Sequence, residues 1–177
     1  MASCAVSIKH KGKVYIGVDS LATDYEYNFC FEIKEDKVFI NDNFLIAFCG
    51  NPRIGQILKP NIWIPETDDI YVLAESIREQ IKERGALIHS DRLLEGMEAT
   101  LLVGHNGRLF EIGGSFQVTE PVVSYHAIGS GGQYALGALH AIKSNKKLTP
   151  KERIVRALEA ASFFSPSVGG KIKIMNI

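Results

Sequence analysis

The side chains able to do chemistry in this chain are few, and most are far apart in the sequence. Gly129-Ser130-Gly131-Gly132 is a glycine-rich run that suits either a tight turn or a phosphate loop. No Gly-Lys-Ser/Thr follows it, so the P-loop pattern is absent. The cysteines Cys4, Cys30 and Cys49 are odd in number and lack a CxxC spacing, which argues against a disulfide framework and against a zinc site. Cys49 sits in an apolar run and reads as a small core residue. The histidines (His10, His89, His105, His126, His140) are scattered and form no HxxxH pair, so no metal is expected. Ser3, Asp19, Lys37 and Gly50 remain. Taken singly they are a strand hydroxyl, a turn carboxylate, a charge at a strand start and a turn glycine. Only their joint placement can carry a function.

The elements that must position them can be read from periodicity. Residues 3–9 suit a strand, and His10-Lys11-Gly12-Lys13 turns into a second strand, Val14 to Val18, which Asp19 ends. Lys37 to Ile40 and the apolar run Phe44 to Cys49 flank the turn cluster Asn41-Asp42-Asn43. Gly50-Asn51-Pro52 breaks that run, and a helix carrying Ile54, Ile57 and Leu58 follows. Residues 67–84 show helical spacing (Ile70, Leu73, Ala74, Ile77, Ile81), with Thr67 or Asp68 as cap and Gly85 as stop. Strands at 100–104 and 108–112 are joined by His105-Asn106-Gly107, and 116–118 and 122–128 continue the β pattern. A helix from about Gly132 to Ser144 is followed by one capped by Thr149, with Pro150 in its first turn, and a last strand covers 171–175. Strands, helices, strands, helices and a strand fit a four-layer αββα sandwich, an α+β fold of two antiparallel sheets flanked by helices. No linker or repeat is visible, so residues 1–177 are expected to form a single domain.

Composition narrows the function classes. The chain has 177 residues, 46% of them hydrophobic, with 20 basic and 20 acidic side chains and a formal net charge of zero. A nucleic-acid binder usually carries a basic excess, so no nucleic-acid partner is expected. Lys143, Lys146 and Lys147 read as a solvated helix end. No apolar run approaches the roughly 20 residues that span a bilayer, and the N-terminus lacks the pattern of a secretory signal. The chain is expected in the cytosol, with no membrane partner.

Placed on the sandwich, the residues resemble the proteasome β-type and HslV-like peptidase subunits of the N-terminal-nucleophile (Ntn) hydrolase superfamily. The matching pattern is Ser3, Gly12-Lys13-Val14, Gly17-Val18-Asp19, Lys37-Val38 and Phe48-Cys49-Gly50. A second match is Ala127-Ile128-Gly129-Ser130-Gly131-Gly132-Gln133-Tyr134-Ala135, which leads from a strand into a helix. The resemblance covers nearly the whole chain.

It implies a threonine-peptidase-type endopeptidase with Ser3 where the family has its nucleophilic threonine. The free α-amine of that residue would be the general base, because its pKa lies near neutral. Lys37 would favour the alkoxide, Asp19 would hold Lys37, and the Gly50 N–H would face the oxyanion. Ser130 would position the amine, with Gly129 and Gly131 shaping its turn. The resemblance implies no cofactor, a peptide or unfolded-protein substrate, a homo-oligomer of stacked rings, and an ATP-dependent unfoldase as partner. A catalytically inactive scaffold subunit is the alternative, and a small-molecule amidase a third reading.

Three departures from the family pattern stand out. Ser replaces Thr, which removes the β-methyl that restricts the rotamer. Met1 and Ala2 precede it, so freeing its amine requires cutting the Ala2–Ser3 bond. Near the end, Ser162 to Gly170 keeps the family's Gly-Gly; aligned on it, Ser165 stands at an Asp position and Val168 at a Ser position. Cys4 is an alternative nucleophile, on the opposite face of the strand. The pocket for the residue before the scissile bond is expected near Tyr25 and Ala47.

Overall fold

Alternation and turn chemistry build the first hairpin. In the computed structural model, which describes residues 3–24, 26, 29–61, 69–90 and 93–177, β1 (Cys4–His10) pairs antiparallel with β2 (Lys13–Val18). Lys11 and Gly12 both have positive φ, 49° and 75°, as a two-residue hairpin turn matching the strand twist requires. Then come β3 (Leu21–Asp24) and β4 (Phe29–Glu32), a separate two-stranded hairpin that the residue pattern does not announce. β5 (Val38–Asn41) and β6 (Phe44–Gly50) form the next pair, followed by α1 (Pro52–Asn61) and α2 (Ile70–Glu83). Asp69 caps α2 by accepting from the Tyr71 N–H, so the helix begins beyond the expected caps; Thr67 and Asp68 lie outside the described residues.

The short pair β7 (Ile88–Ser90) and β8 (Leu93–Gly96) precedes β9 (Ala99–His105) and β10 (Arg108–Ile112). Asn106 and Gly107 form the β9–β10 turn, again with positive φ. β11 is reduced to Val118–Thr119, and β12 (Tyr125–Gly129) starts later than the expected 122, with Val122 and Val123 exposed ahead of it. Phe116 lies outside the strand at a φ of 61°. The chain closes with α3 (Gly132–Ile142), α4 (Pro150–Phe164) and β13 (Lys173–Asn176). Thr149 and Glu152 form a full capping box on α4.

The larger sheets have the orders β12-β1-β2-β13 and β11-β10-β9-β6-β5, with antiparallel pairing throughout. Three apolar clusters glue the layers. Ala5, Ile16, Leu45, Ala47 and Leu102 fill the space between the sheets. Cys4, Val6 and Ile8, on the opposite face of β1, meet Ala135, Leu139, Ile154 and Leu158 of α3 and α4. Ile46 and Phe48 of β6 meet Ile54, Leu58, Leu73 and Ile77 of α1 and α2. The result is the expected αββα sandwich. At Gly17 an added Cβ would meet Ile154 and Leu158 of α4, so this glycine lets the helix lie close on the sheet. No helix among the described residues is long and apolar enough to cross a membrane.

Candidate active site

Ser3 enters β1 from the end of the sandwich, with its side chain on the inter-sheet face. Lys37 stands just before β5 in the facing sheet, and Asp19 just after β2. The sandwich brings the three together: Lys37 Nζ donates to Ser3 Oγ at 2.7 Å and to Asp19 Oδ1 at 3.0 Å. It also donates to the Leu21 carbonyl. The ammonium has three donors, and all are used. All three side chains are shut away from solvent, at 2% exposure for Ser3, 3% for Asp19 and 2% for Lys37. A buried charge is tolerated when it is paired and hydrogen-bonded, and that condition is met here.

Asp19 is fixed from every side. Oδ1 also accepts from the Cys4 N–H at 3.0 Å, and Oδ2 from the N–H groups of Leu21 (3.3 Å) and Gly169 (3.2 Å). One carboxylate thus ties the start of β1, the end of β2, the lysine and the C-terminal loop. Because Lys37 donates to Ser3 Oγ, the hydroxyl is an acceptor toward it and keeps its own proton available for transfer. A cation in this position stabilises negative charge on Oγ.

On the other side, Gly129 makes room for the Ser3 backbone, and Gly131 for the side chains of Ala161, Val168 and Cys4. Gly129 has φ 89°, and a Cβ there would run into the Ser3 carbonyl and come within 2.9 Å of Cys49 Sγ. A Cβ at Gly131 would lie 2.9 Å from Val168 Cγ2 and 3.1 Å from Cys4 Cβ. Ser130 Oγ donates to the Ser3 carbonyl at 3.3 Å and lies 3.1 Å from Ser167 Oγ, which lies 3.1 Å from Ser165 Oγ. Ser165 is thus connected to the Ser3 carbonyl only through Ser167 and Ser130. Val168 is not a hydroxyl substitute: it is buried in the apolar cluster with Cys4. The hydroxyl that does lie near Ser130 is that of Ser167, one residue earlier. Sequence reading missed it because the approach of 130 and 167 is purely spatial.

Cys4 does not reach the site. Its side chain points into the α3–α4 layer and is fully buried. Burial, then the Asp19 carboxylate, push its thiol up to about 12, partly offset by Lys37, which opposes formation of a nucleophilic thiolate. Burial likewise raises the Cys49 thiol, and the negative charges of Cys4 and Asp19 push it the same way.

Gly50 ends β6 with φ 128°, where a Cβ would strike the Glu98 carbonyl and lie 2.7 Å from Ala99 Cα. Ser3 and Gly50 line one pocket of about 270 Å3, to which Phe31, Ile33 and Phe48 give an apolar wall and which Glu35, Asp36, Lys37, Gln56 and Lys59 also line. Ala47 is not part of it: alternation along β6 turns Ala47 into the inter-sheet core and Phe48 toward the pocket. Tyr25 lies outside the described residues.

No family model matches the chain. Its sequence is 30% identical over 178 residues to the ATP-dependent protease subunit HslV of Caldicellulosiruptor saccharolyticus, covering 99% of this chain and 98% of that protein. The chain belongs to the HslV family of protease subunits. The HslV subunit of Borreliella burgdorferi is 29% identical over 171 residues, with 89% of this chain and 86% of the relative covered. Among solved structures, BPH of Thiobacillus denitrificans superimposes with a TM-score of 0.84 at 20% identity, covering 98% and 97% of the two chains. The eukaryotic HslV of Trypanosoma brucei gives a TM-score of 0.69 at 22% identity over 98% of each chain. The Ntn-hydrolase sandwich expected from the residues is thus the fold of the family.

Proposed function

We propose that this chain is an endopeptidase subunit that cleaves unfolded polypeptides with Ser3 as an N-terminal nucleophile. The observation that carries the reading is the buried contact of Lys37 Nζ with Ser3 Oγ at 2.7 Å, with Asp19 behind the lysine at 3.0 Å. Met1 and Ala2 lie outside the described residues; the mechanism requires hydrolysis of the Ala2–Ser3 bond to free the α-amine.

In the reaction the α-amine takes the Ser3 Oγ proton, and Oγ adds to the scissile carbonyl carbon. Lys37 offsets the charge growing on Oγ, and the Gly50 N–H donates to the carbonyl oxygen as it becomes an oxyanion. Collapse breaks the C–N bond, the α-ammonium gives its proton to the leaving amine, and an ester to Ser3 remains. Water, deprotonated by the same amine, hydrolyses that ester and returns the proton to Oγ. One oxyanion donor contributes about 3–4 kcal/mol where it has been measured. The pocket beside Ser3, walled by Phe31, Ile33 and Phe48, favours an apolar side chain before the scissile bond.

Residues 1–177 act here as a single catalytic domain. The subunit is proposed to assemble into homo-oligomeric stacked rings in the cytosol, fed by an ATP-dependent unfoldase; the relatives' name, ATP-dependent protease subunit, supports a subunit role and dependence on ATP. A scaffold role gains nothing from a buried lysine held against a serine hydroxyl. The test is hydrolysis of an unfolded protein and of an apolar fluorogenic peptide by wild type and by Ser3→Ala, alongside intact mass. Activity lost in Ser3→Ala, with a wild-type mass beginning at Ser3, is expected. Equal activity in both removes Ser3 as nucleophile.

A further inference from the structure

One wall of the pocket beside Ser3 depends on a residue that a substrate need not touch. Phe48 of β6 and Gly55 of α1 both line this pocket. A Cβ added at Gly55 would overlap the outer edge of the Phe48 ring, running into Cζ and Cε1 and lying 2.7 Å from Cε2. The ring therefore rests directly on the helix backbone.

The backbone gives no reason for a glycine here. Gly55 sits in the second turn of a helix and is absent from the glycines of positive φ, unlike Gly50 and Gly129. Intrinsic propensity disfavours glycine at such a position, as Ala is the better helix former. The space taken by the Phe48 ring is what the glycine provides. Phe48 is only 8% exposed and is packed among core residues of β6, α1 and α2, which leave little room to yield. The open side of the ring is the pocket itself.

We propose that Gly55 is a specificity-determining residue. By letting the tip of the Phe48 ring reach the backbone of α1, it sets the depth of the pocket and so admits a bulky apolar side chain. Calling that side chain the one before the scissile bond rests on Ser3 as nucleophile; the depth of the pocket does not. A methyl at position 55 turns the ring into the pocket and leaves room for small side chains only. Gly55 acts through Phe48, so the signature is a change of preference rather than a uniform loss.

The test reads binding without cleavage. The full chain carrying Ser3→Ala is titrated with two fluorescent peptides that differ only in a C-terminal Phe or Ala. The parent should favour the Phe peptide, and Gly55→Ala should lower that preference roughly tenfold, the scale of a methylene-sized misfit in an apolar pocket. Adding Phe48→Leu to Gly55→Ala should restore it, because the shorter side chain clears the methyl. An unchanged preference in a folded Gly55→Ala variant overturns the proposal, as does a double variant that stays as selective as Gly55→Ala alone. If Gly55→Ala does not fold, Phe48→Leu by itself decides. It should raise affinity for a peptide ending in Trp relative to Phe, and an unaltered ratio overturns the proposal. Failure of the Ser3 protein to hydrolyse any peptide removes the nucleophile and leaves these binding ratios intact.

Discussion

Ser3 is held from two sides by different chemistry. Its side chain faces a buried ion pair, Lys37 and Asp19, whose donors and acceptors reach four separate stretches of chain. Its carbonyl faces Ser130, backed by the hydroxyls of Ser167 and Ser165 and by no charge. The charged side lies at 2–3% exposure, whereas Ser130 is exposed and Ser167 half-buried. Charges without water cannot be removed one at a time without leaving the partner stranded. Neutral hydroxyls near solvent can be replaced by water. The first side should therefore govern folding and, under the proposed mechanism, reactivity, and the second only alignment.

The largest effect expected is that of Lys37→Met. It strands the Asp19 carboxylate and takes the cation from Ser3 Oγ. Stability should fall by about 3–5 kcal/mol in urea unfolding, and hydrolysis of an apolar fluorogenic peptide by at least about a hundredfold. A stable, active Lys37→Met protein would end the comparison. Asp19→Asn comes next. The amide offers one acceptor oxygen where the carboxylate serves Lys37 and the N–H groups of Cys4, Leu21 and Gly169. Each buried donor left over costs about 1–3 kcal/mol, so a clear drop in melting temperature should accompany the loss of activity.

The hydroxyl side should respond less. Ser167→Ala should lower kcat by no more than roughly tenfold and leave stability within about 1 kcal/mol, the scale of one neutral hydrogen bond. The readout is the split between kcat and KM, because a positioning defect moves kcat while the pocket still binds. If Ser167→Ala matched Lys37→Met in stability, the two sides would not differ in kind.

The two sides also differ in how legible they are in the sequence. Asp19, Lys37 and Gly50 are legible because each marks the end of an element: a strand stop, a strand start and a helix-side break. Gly129 to Gly132 is legible as a strand-to-helix turn. Ser167 carries no local signal, since its partner Ser130 is far away in sequence. The β3–β4 hairpin was hidden for a related reason. Phe29, Cys30 and Phe31 are all exposed on a two-stranded sheet outside the sandwich, so no burial rhythm forms. Helix α1 was legible from Pro52 and its apolar stripe, but the dependence of Phe48 on Gly55 needs the packing of strand on helix to be seen.

The smallest effect concerns the reverse face of β1, where Cys4 stands back to back with Ser3. Its thiol ordinarily titrates at 9.0 and is pushed up to about 12 in the fold, chiefly by burial. Below pH 9 the thiol is protonated in both folded and unfolded chains, and its full contribution to stability is present. Between about 9 and 12 the unfolded chain releases the proton and the folded chain keeps it, so stability falls as pH rises. From pH 8 to pH 10 this one group should remove roughly 1 kcal/mol. Cys4→Ala should lose correspondingly less over the same interval, although alanine leaves a small void and starts from a lower stability. Urea unfolding of both proteins at the two pH values gives the difference. Equal losses would mean that the Cys4 thiolate finds solvent or Lys37 in the folded chain, and that the two faces of β1 are less insulated than the buried thiol implies.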